Sequence, residues 1–364
     1  MDTIRRTAVG PIIRCSLVLL GCLSIPCSAD FVAGVTAYKE QNYPIALQEF
    51  TTLADAGDAR AQFALGLMFD NGEGVAVDDR TARRWYLASA EQNYAKAQVN
   101  LGLMLENGRG GTRDVAGARI WFRKAAANGN EDAVSRVHQH AAEGDVEAQL
   151  MLGRMYYLGR VVPESARDAF GWFSRAASAG DREAAFSLAV MLEEGEARPA
   201  DDVAAAQWYA AAVARGHAEA AFNLARLYRL GRGVKLDLLQ AQKHYELAAE
   251  HGIADAAFTL GMLYETGDGW TQDQDKARGW YEQAAVAGHA GAQVNLALLL
   301  NELGDEDYKA EIFALMTAAE KQGHRIGRAN LELLKETLDP VTVVAGTLAS
   351  KRYLPGGENL VASD

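Results

Sequence analysis

Apolar positions recur along the chain with two nested periods. The short period is helical. Ala61, Leu65, Met68 and Phe69 fall at i, i+4, i+7 and i+8, which is one face of an α-helix. The long period is 36 residues. Counting from Ala61, matching alanines stand at Ala97, Ala148, Ala184, Ala220, Ala256 and Ala292. Four residues after each comes a leucine: Leu65, Leu101, Leu152, Leu188, Leu224, Leu260 and Leu296. Gly or Ala follows it, and a further glycine (Gly72, Gly108, Gly159, Gly195, Gly231, Gly267) stands six positions beyond the leucine's neighbour. Later in each unit an alanine precedes an aromatic pair, from Trp85-Tyr86 to Trp280-Tyr281, with His244-Tyr245 in place of a Trp-led pair.

Each unit reads as two helices. The first carries the Ala and Leu stripe and ends at a glycine suited to a left-handed cap. The second starts at one phase, Asp78, Asp114, Ser165, Asp201, Asp237 or Asp273, residue types that cap helix N-termini. Small residues at fixed places let the two backbones approach, and the aromatic pair fills the space beside them. One such hairpin cannot cover its own apolar face, so neighbouring units must stack. The expected fold class is all-α, a solenoid of helix-turn-helix repeats of about 36 residues.

The pattern A-x-x-x-L-G-x-[ML]-[YF]-x-x-G-x-G-V, then A-x-x-W-Y and A-A-x-x-G, resembles the Sel1-like repeat, a relative of the tetratricopeptide repeat. The resemblance spans roughly residues 33 to 324. It implies a right-handed superhelical α-solenoid that works as an adaptor in bacterial envelope assemblies, signalling or host contact. One branch of the family is linked to β-lactam binding, and its units each carry a cysteine pair. That pair is missing here, so the activity is not carried over.

The array has irregular places. It opens with half a unit, residues 38–57, in the phase of a second helix, which reads as an N-terminal cap. The step from Ala97 to Ala148 is 51 residues, one unit plus 15. Residues 131–144 therefore hold a truncated unit with one helix and no aromatic pair. The expected organisation is a signal peptide over 1–29, N-terminal repeats over 30–144, C-terminal repeats over 145–324, and a capping helix and tail over 325–364. Thr342 to Leu348 reads as either a capping helix or an added strand.

Residues 1–29 differ in composition from the rest. Arg5, Arg6 and Arg14 precede an apolar run, and Cys27-Ser28-Ala29 offers the small residues a signal peptidase reads, with cleavage expected before Asp30. An N-terminal membrane anchor is a second reading. A third is a lipobox, Leu19-Leu20-Gly21-Cys22, that would place a lipid anchor on Cys22. The three cysteines, Cys15, Cys22 and Cys27, all lie in this segment, so cleavage would leave a chain without disulfides or thiolate chemistry. The balance of 36 Lys+Arg against 48 Asp+Glu makes nucleic acid an unsuitable partner.

No catalytic constellation stands out, and no cofactor or metal is expected. His138 and His140 are two residues apart on a helix, poor co-ligands, and read as solvent-facing. His217, His289 and His324 each follow a closing glycine and read as turn residues. The Gly-x-Gly loops lack the Lys-Ser/Thr and βαβ setting of a phosphate loop. The acidic pairs Asp78-Asp79, Asp201-Asp202 and Glu193-Glu194 read as caps and solvated faces, and the Trp/Tyr stripe as core. Partner contact is expected on the first helices, where Asn100, Asn223 and Asn295 can clamp a peptide backbone and Arg154 and Arg226 can pair a carboxylate. The expected function is a non-catalytic protein-protein interaction scaffold of the bacterial envelope, most simply periplasmic. The alternatives are a secreted protein that engages host or foreign molecules and a hydrolase hidden on the repeats.

Overall fold

A computed structural model describes residues 30–355. The leader expectations, the Cys22 lipid anchor included, and the last nine residues of the tail lie outside the described residues. Those described are α-helical with two short 3-10 turns, and they divide into two compact units, up to Asn130 and from Glu131. None of the helices is long and apolar enough to cross a membrane.

The first unit holds three helix pairs: α1 (Phe31–Lys39) with α2 (Tyr43–Asp55), α3 (Ala59–Asn71) with α4 (Asp79–Glu91), and α5 (Ala95–Asn107) with α6 (Val115–Ala127). The half unit read at the N-terminus is in fact a full pair. Asp30 caps α1 by accepting from the Val32 N–H, which lets nine residues form a short first helix. The second unit opens with the single helix α7 (Glu131–Ala142), which packs on α8 (Val146–Leu158). Then α8 pairs with α9 (Ala166–Ser178), α10 (Arg182–Glu194) with α11 (Asp202–Val213), α12 (Ala218–Leu230) with α13 (Leu238–Glu250), and α14 (Ala254–Thr266) with α15 (Gln274–Val286).

The hairpins form for reasons written in the chain. All six residues at the second-helix phase cap: Asp78, Asp114, Ser165, Asp201, Asp237 and Asp273 each accept a backbone N–H from the first turn. The first helices end on glycines in the left-handed region, as at Gly72 with φ 75°. Within a hairpin, Gly66, Gly102, Gly153 and Gly261 face the rings of Tyr86, Phe122, Phe173 and Tyr281, so closely that an added Cβ would meet them at 2.5 to 3.0 Å. Only the second member of each aromatic pair is core. Tyr86, Phe122, Phe173, Tyr209, Tyr245 and Tyr281 are buried, whereas Trp85, Trp121, Trp172, Trp208 and Trp280 are half-buried. The tryptophan stripe is thus not core as read. The indoles lie at its edge, and Lys124 and Arg175 sit over the Trp121 and Trp172 rings.

The array closes on a cap. The last unit lacks the Gly-x-Gly loop, and a 3-10 turn (Glu306–Tyr308) links α16 (Ala290–Leu303) to α17 (Lys309–Lys321). Residues 312–319 of α17 are all buried, because α16, α18 (Arg325–Thr337) and α19 (Pro340–Ala349) surround it. The segment read as helix or strand is helix α19. Gly346 lets it approach the Ala310 carbonyl, where a Cβ would stand at 2.7 Å. Tyr353 then locks the end: its hydroxyl donates to Glu311 at 2.7 Å and its carbonyl accepts from Gln293 at 2.6 Å.

Candidate functional site

The face carried by the first helices is organised by hydrogen-bonded chains that cross from one repeat to the next. Asn223 on α12 donates to the Tyr209 hydroxyl at 3.2 Å, and Tyr209 donates to Glu193 at 3.0 Å. Arg226 and Arg232 close on the same carboxylate at 2.7 and 3.1 Å. The Glu193 side chain is 8% exposed, so it is not the solvated acid the sequence suggested. Its second neighbour in charge, Asp202, takes a two-point contact from Arg232. The same chain recurs where Asn295 donates to Tyr281 at 3.1 Å and Tyr281 to Glu265, and where Tyr86 donates to Asp70 and is hydrogen-bonded by Asn100. Burial, with the adjacent carboxylate, pushes the Tyr86, Tyr209 and Tyr281 hydroxyls well above the ordinary phenol range.

Of the five residues singled out for partner contact, the three asparagines therefore sit at equivalent places with their amides engaged by tyrosine. Both arginines face acids: Arg226 pairs with Glu193 and Arg154 with Glu183 at 3.4 Å. These contacts supply order to the face. They also neutralise the cations that would meet a partner carboxylate.

A second recurring set lies at the N-terminal ends of α10, α12 and α14. Phe186, Phe222 and Phe258 occupy one phase, and Glu183, Glu219 and Asp255 another. His217 stacks on Phe186 with ring centroids 4.3 Å apart, and its Nδ1 accepts the Ala220 N–H, so it caps α12. This bond leaves the proton on Nε2, which faces Glu183 at 3.7 Å. His289 repeats the arrangement. It stacks on Phe258 at 4.3 Å, caps α16 through the Ala292 N–H and reaches Asp255 at 3.2 Å. His324 caps α18 in the same way, through the Gly327 N–H. These histidines, read as turn residues, are helix caps with imidazole in an ordered role. Burial holds the His289 imidazole below its ordinary pKa, although Asp255 opposes this.

Between the two stacked histidines the equivalent residue is Ile253, and α14 has no side-chain cap. Two adjoining clefts open there. One, of about 410 Å³, is lined by Phe186, Phe222, Asn223, Ile253, Glu219 and Asp255 among others. The other, of about 260 Å³, lies between His217, Glu183 and Arg182 on one side and Glu219 and Ile253 on the other.

Six segments of the chain, residues 59–94, 95–130, 146–181, 182–217, 218–253 and 254–289, match the Sel1 repeat. The chain belongs to the Sel1 repeat family. Among solved structures, a Sel1 repeat protein from Oxalobacter formigenes is 27% identical, with 84% of this chain and 86% of that one covered and a TM-score of 0.52. A protective antigen of uropathogenic Escherichia coli is 26% identical over 92% and 87% of the two chains, with a TM-score of 0.42. A Sel1 repeat protein from Klebsiella pneumoniae is 22% identical over 56% and 99%, with a TM-score of 0.36. No curated protein matches the chain. Sel1 scaffolds of this kind typically mediate protein-protein interaction, and the proteins matched here are repeat scaffolds.

The Sel1 frame shows what the sequence reading passed over. His217, Ile253 and His289 are each the last residue of a matched repeat. The other matched repeats end on Tyr94, Asn130 and Asp181, so this place varies along the chain, and the histidine caps were read as turns. His138 and His140 were likewise read as solvent-facing. His140 is buried, and His138 lies against Tyr156 and the edge of Trp172, where burial lowers its pKa. Among the described residues no group of three or more His, Asp or Glu is arranged to hold a metal ion.

Proposed function

We propose that this Sel1 repeat protein is an adaptor of the bacterial cell envelope, exported by residues 1–29, that holds protein partners on its first-helix face without catalysing a reaction. The observation that carries this reading is the open pair of clefts on that face, at Phe186, Phe222 and Ile253, set in a framework whose other polar side chains are ordered by neighbours. Rigid repeats that present an indented, ordered surface suit the docking of an extended segment of another protein. In this reading Asn223 and Arg226 border the contact region, Arg154 and Asn295 hold related places on the same unit, and Asn100 holds the equivalent place on the first unit.

The test is affinity capture from envelope extract with the chain from Asp30 onward as bait, beside fractionation of the untagged protein. The expected result is one or two envelope proteins retained in stoichiometric amount, a leader-processed chain in the periplasmic fraction, and weaker capture by the N223A/R226A double variant. A folded, helical bait that retains nothing sinks the envelope role.

A further inference from the structure

We propose that the cleft at Ile253 is a subsite for a long cationic side chain, lysine or arginine, of a partner protein. The proposal deepens the adaptor reading and rests on it. Three successive repeats supply the comparison. In the repeats ending at His217 and His289, imidazole performs three tasks: it covers a phenylalanine ring, meets an acid, and caps the next helix. The middle repeat keeps the phenylalanine, Phe222, and the acid, Glu219, and ends instead on Ile253. Isoleucine has no nitrogen for the acid and no donor or acceptor for the helix end. Phe222 consequently has no stacked imidazole, α14 has no side-chain cap, and Glu219 has no ion pair or side-chain hydrogen bond among the described residues.

What imidazole leaves undone, a ligand can do. Glu219 borders both clefts, and Asp255, 69% exposed at its side chain, borders the larger one. Phe186, Phe222 and Ile253 give that cleft apolar walls. The combination is an apolar channel with carboxylates beside it. A methylene stem packs on the Phe222 ring while an ammonium or guanidinium meets Glu219, with Asp255, already reached by His289 at 3.2 Å, adding its field from the cleft edge. A cleft of about 410 Å³ admits one such side chain with part of its backbone. An acidic side chain is excluded by the same two carboxylates. Glu183, the corresponding acid of the preceding repeat, does not offer this because Arg154, Arg182 and His217 already face it.

The experiment is an NMR titration of the isotope-labelled chain from Asp30 onward. The probes are three acetylated hexapeptide amides of alternating residues, Leu/Lys, Leu/Arg and Leu/norleucine, at about 0.15 M salt. Expected are saturable shifts centred on residues 219–223 and 252–255, with either cationic peptide about tenfold tighter than the norleucine peptide. E219Q should weaken that binding about tenfold, while E91Q, an exposed acid that lines neither cleft, leaves it within about twofold. I253H is the second variant. It should place an imidazole on Phe222 beside Glu219, abolish the titration and raise the thermal midpoint. Equal affinity for norleucine, shifts centred elsewhere, no binding, or insensitivity to both E219Q and I253H overturns the proposal. An envelope partner whose capture survives both variants removes the subsite and leaves the adaptor. Peptide binding lost in E219Q, with no envelope partner captured, leaves the subsite and removes the adaptor.

Discussion

Gln149 carries its amide into the core, where it donates to the Ala141 carbonyl at 2.9 Å. Equivalent glutamines do the same and also accept at Oε1: Gln62 from Gln92 at 2.8 Å, Gln98 from Asn128 at 3.2 Å, and Gln293 from Gln322 at 3.0 Å. Each donor is the residue that ends the second helix of its pair. At that place after α9 the chain has Ala179, and the buried Gln149 Oε1 finds no partner. A buried acceptor left without a hydrogen bond costs about 1–3 kcal/mol. A179Q restores the donor from an exposed position, so urea unfolding should show a gain of about 1 kcal/mol, with no gain in A179L. None of this was legible beforehand. The sequence shows Gln at one phase and Ala at another, but the pairing joins residues about 30 apart and depends on how far the second helix of a hairpin slides along the first.

At the level of the helix, glycines on the two helices of one hairpin have opposite meanings. Gly261 on α14 faces Tyr281 so closely that a Cβ would stand 2.5 Å from the ring, and the ring is buried with nowhere to go. Gly279 on α15 has nothing within 4 Å of its Cβ position. Alanine at either place gains about 1 kcal/mol of helix propensity. At Gly261 that gain is outweighed by overpacking of about 1–3 kcal/mol. G279A should therefore raise stability by about 1 kcal/mol and G261A lower it by a similar amount, both read from denaturant midpoints at unchanged slope. Ala189, Ala225 and Ala297 hold the Gly261 phase in other repeats, so hairpin spacing is set repeat by repeat. The helices themselves were readable. The cap phase, the Leu stripe and the closing glycines marked all of them from α2 to α15. The short α1 was missed because its cap, Asp30, stands where the leader is expected to be cut. The end of the array was left open because Val-rich segments such as residues 341–344 suit helix or strand until a neighbour decides.

For the whole molecule, the acidic balance of −12 was visible at once, but its arrangement was not. Carboxylates are held by arginine, tyrosine or backbone N–H groups, as Asp70 is and as Glu193, read as solvated, is. Histidines shape the pH response. Burial lowers the pKa of His138, His244 and His289 in the fold. The unfolded chain takes up those protons first as pH falls from about 6.5, so it binds more protons than the native chain in that window. Their contribution is present above the unfolded pKa and is lost as pH falls through the folded values. Urea midpoints should thus drop between about pH 7.5 and 5.5. H244W, which installs the tryptophan of the other aromatic pairs and removes one of the three, should make that drop smaller. A midpoint that rises on acidification contradicts this account.

Repetition has a cost for recognition. A backbone that returns about every 36 residues offers similar helix ends at successive steps, so an extended partner could settle in several offsets wherever the side chains of neighbouring repeats do not differ. In the subsite proposed above, Ile253 between His217 and His289 would lift that degeneracy. It would work as a fiducial mark: a partner whose cation takes that subsite begins there, and every contact beyond it is counted from that point.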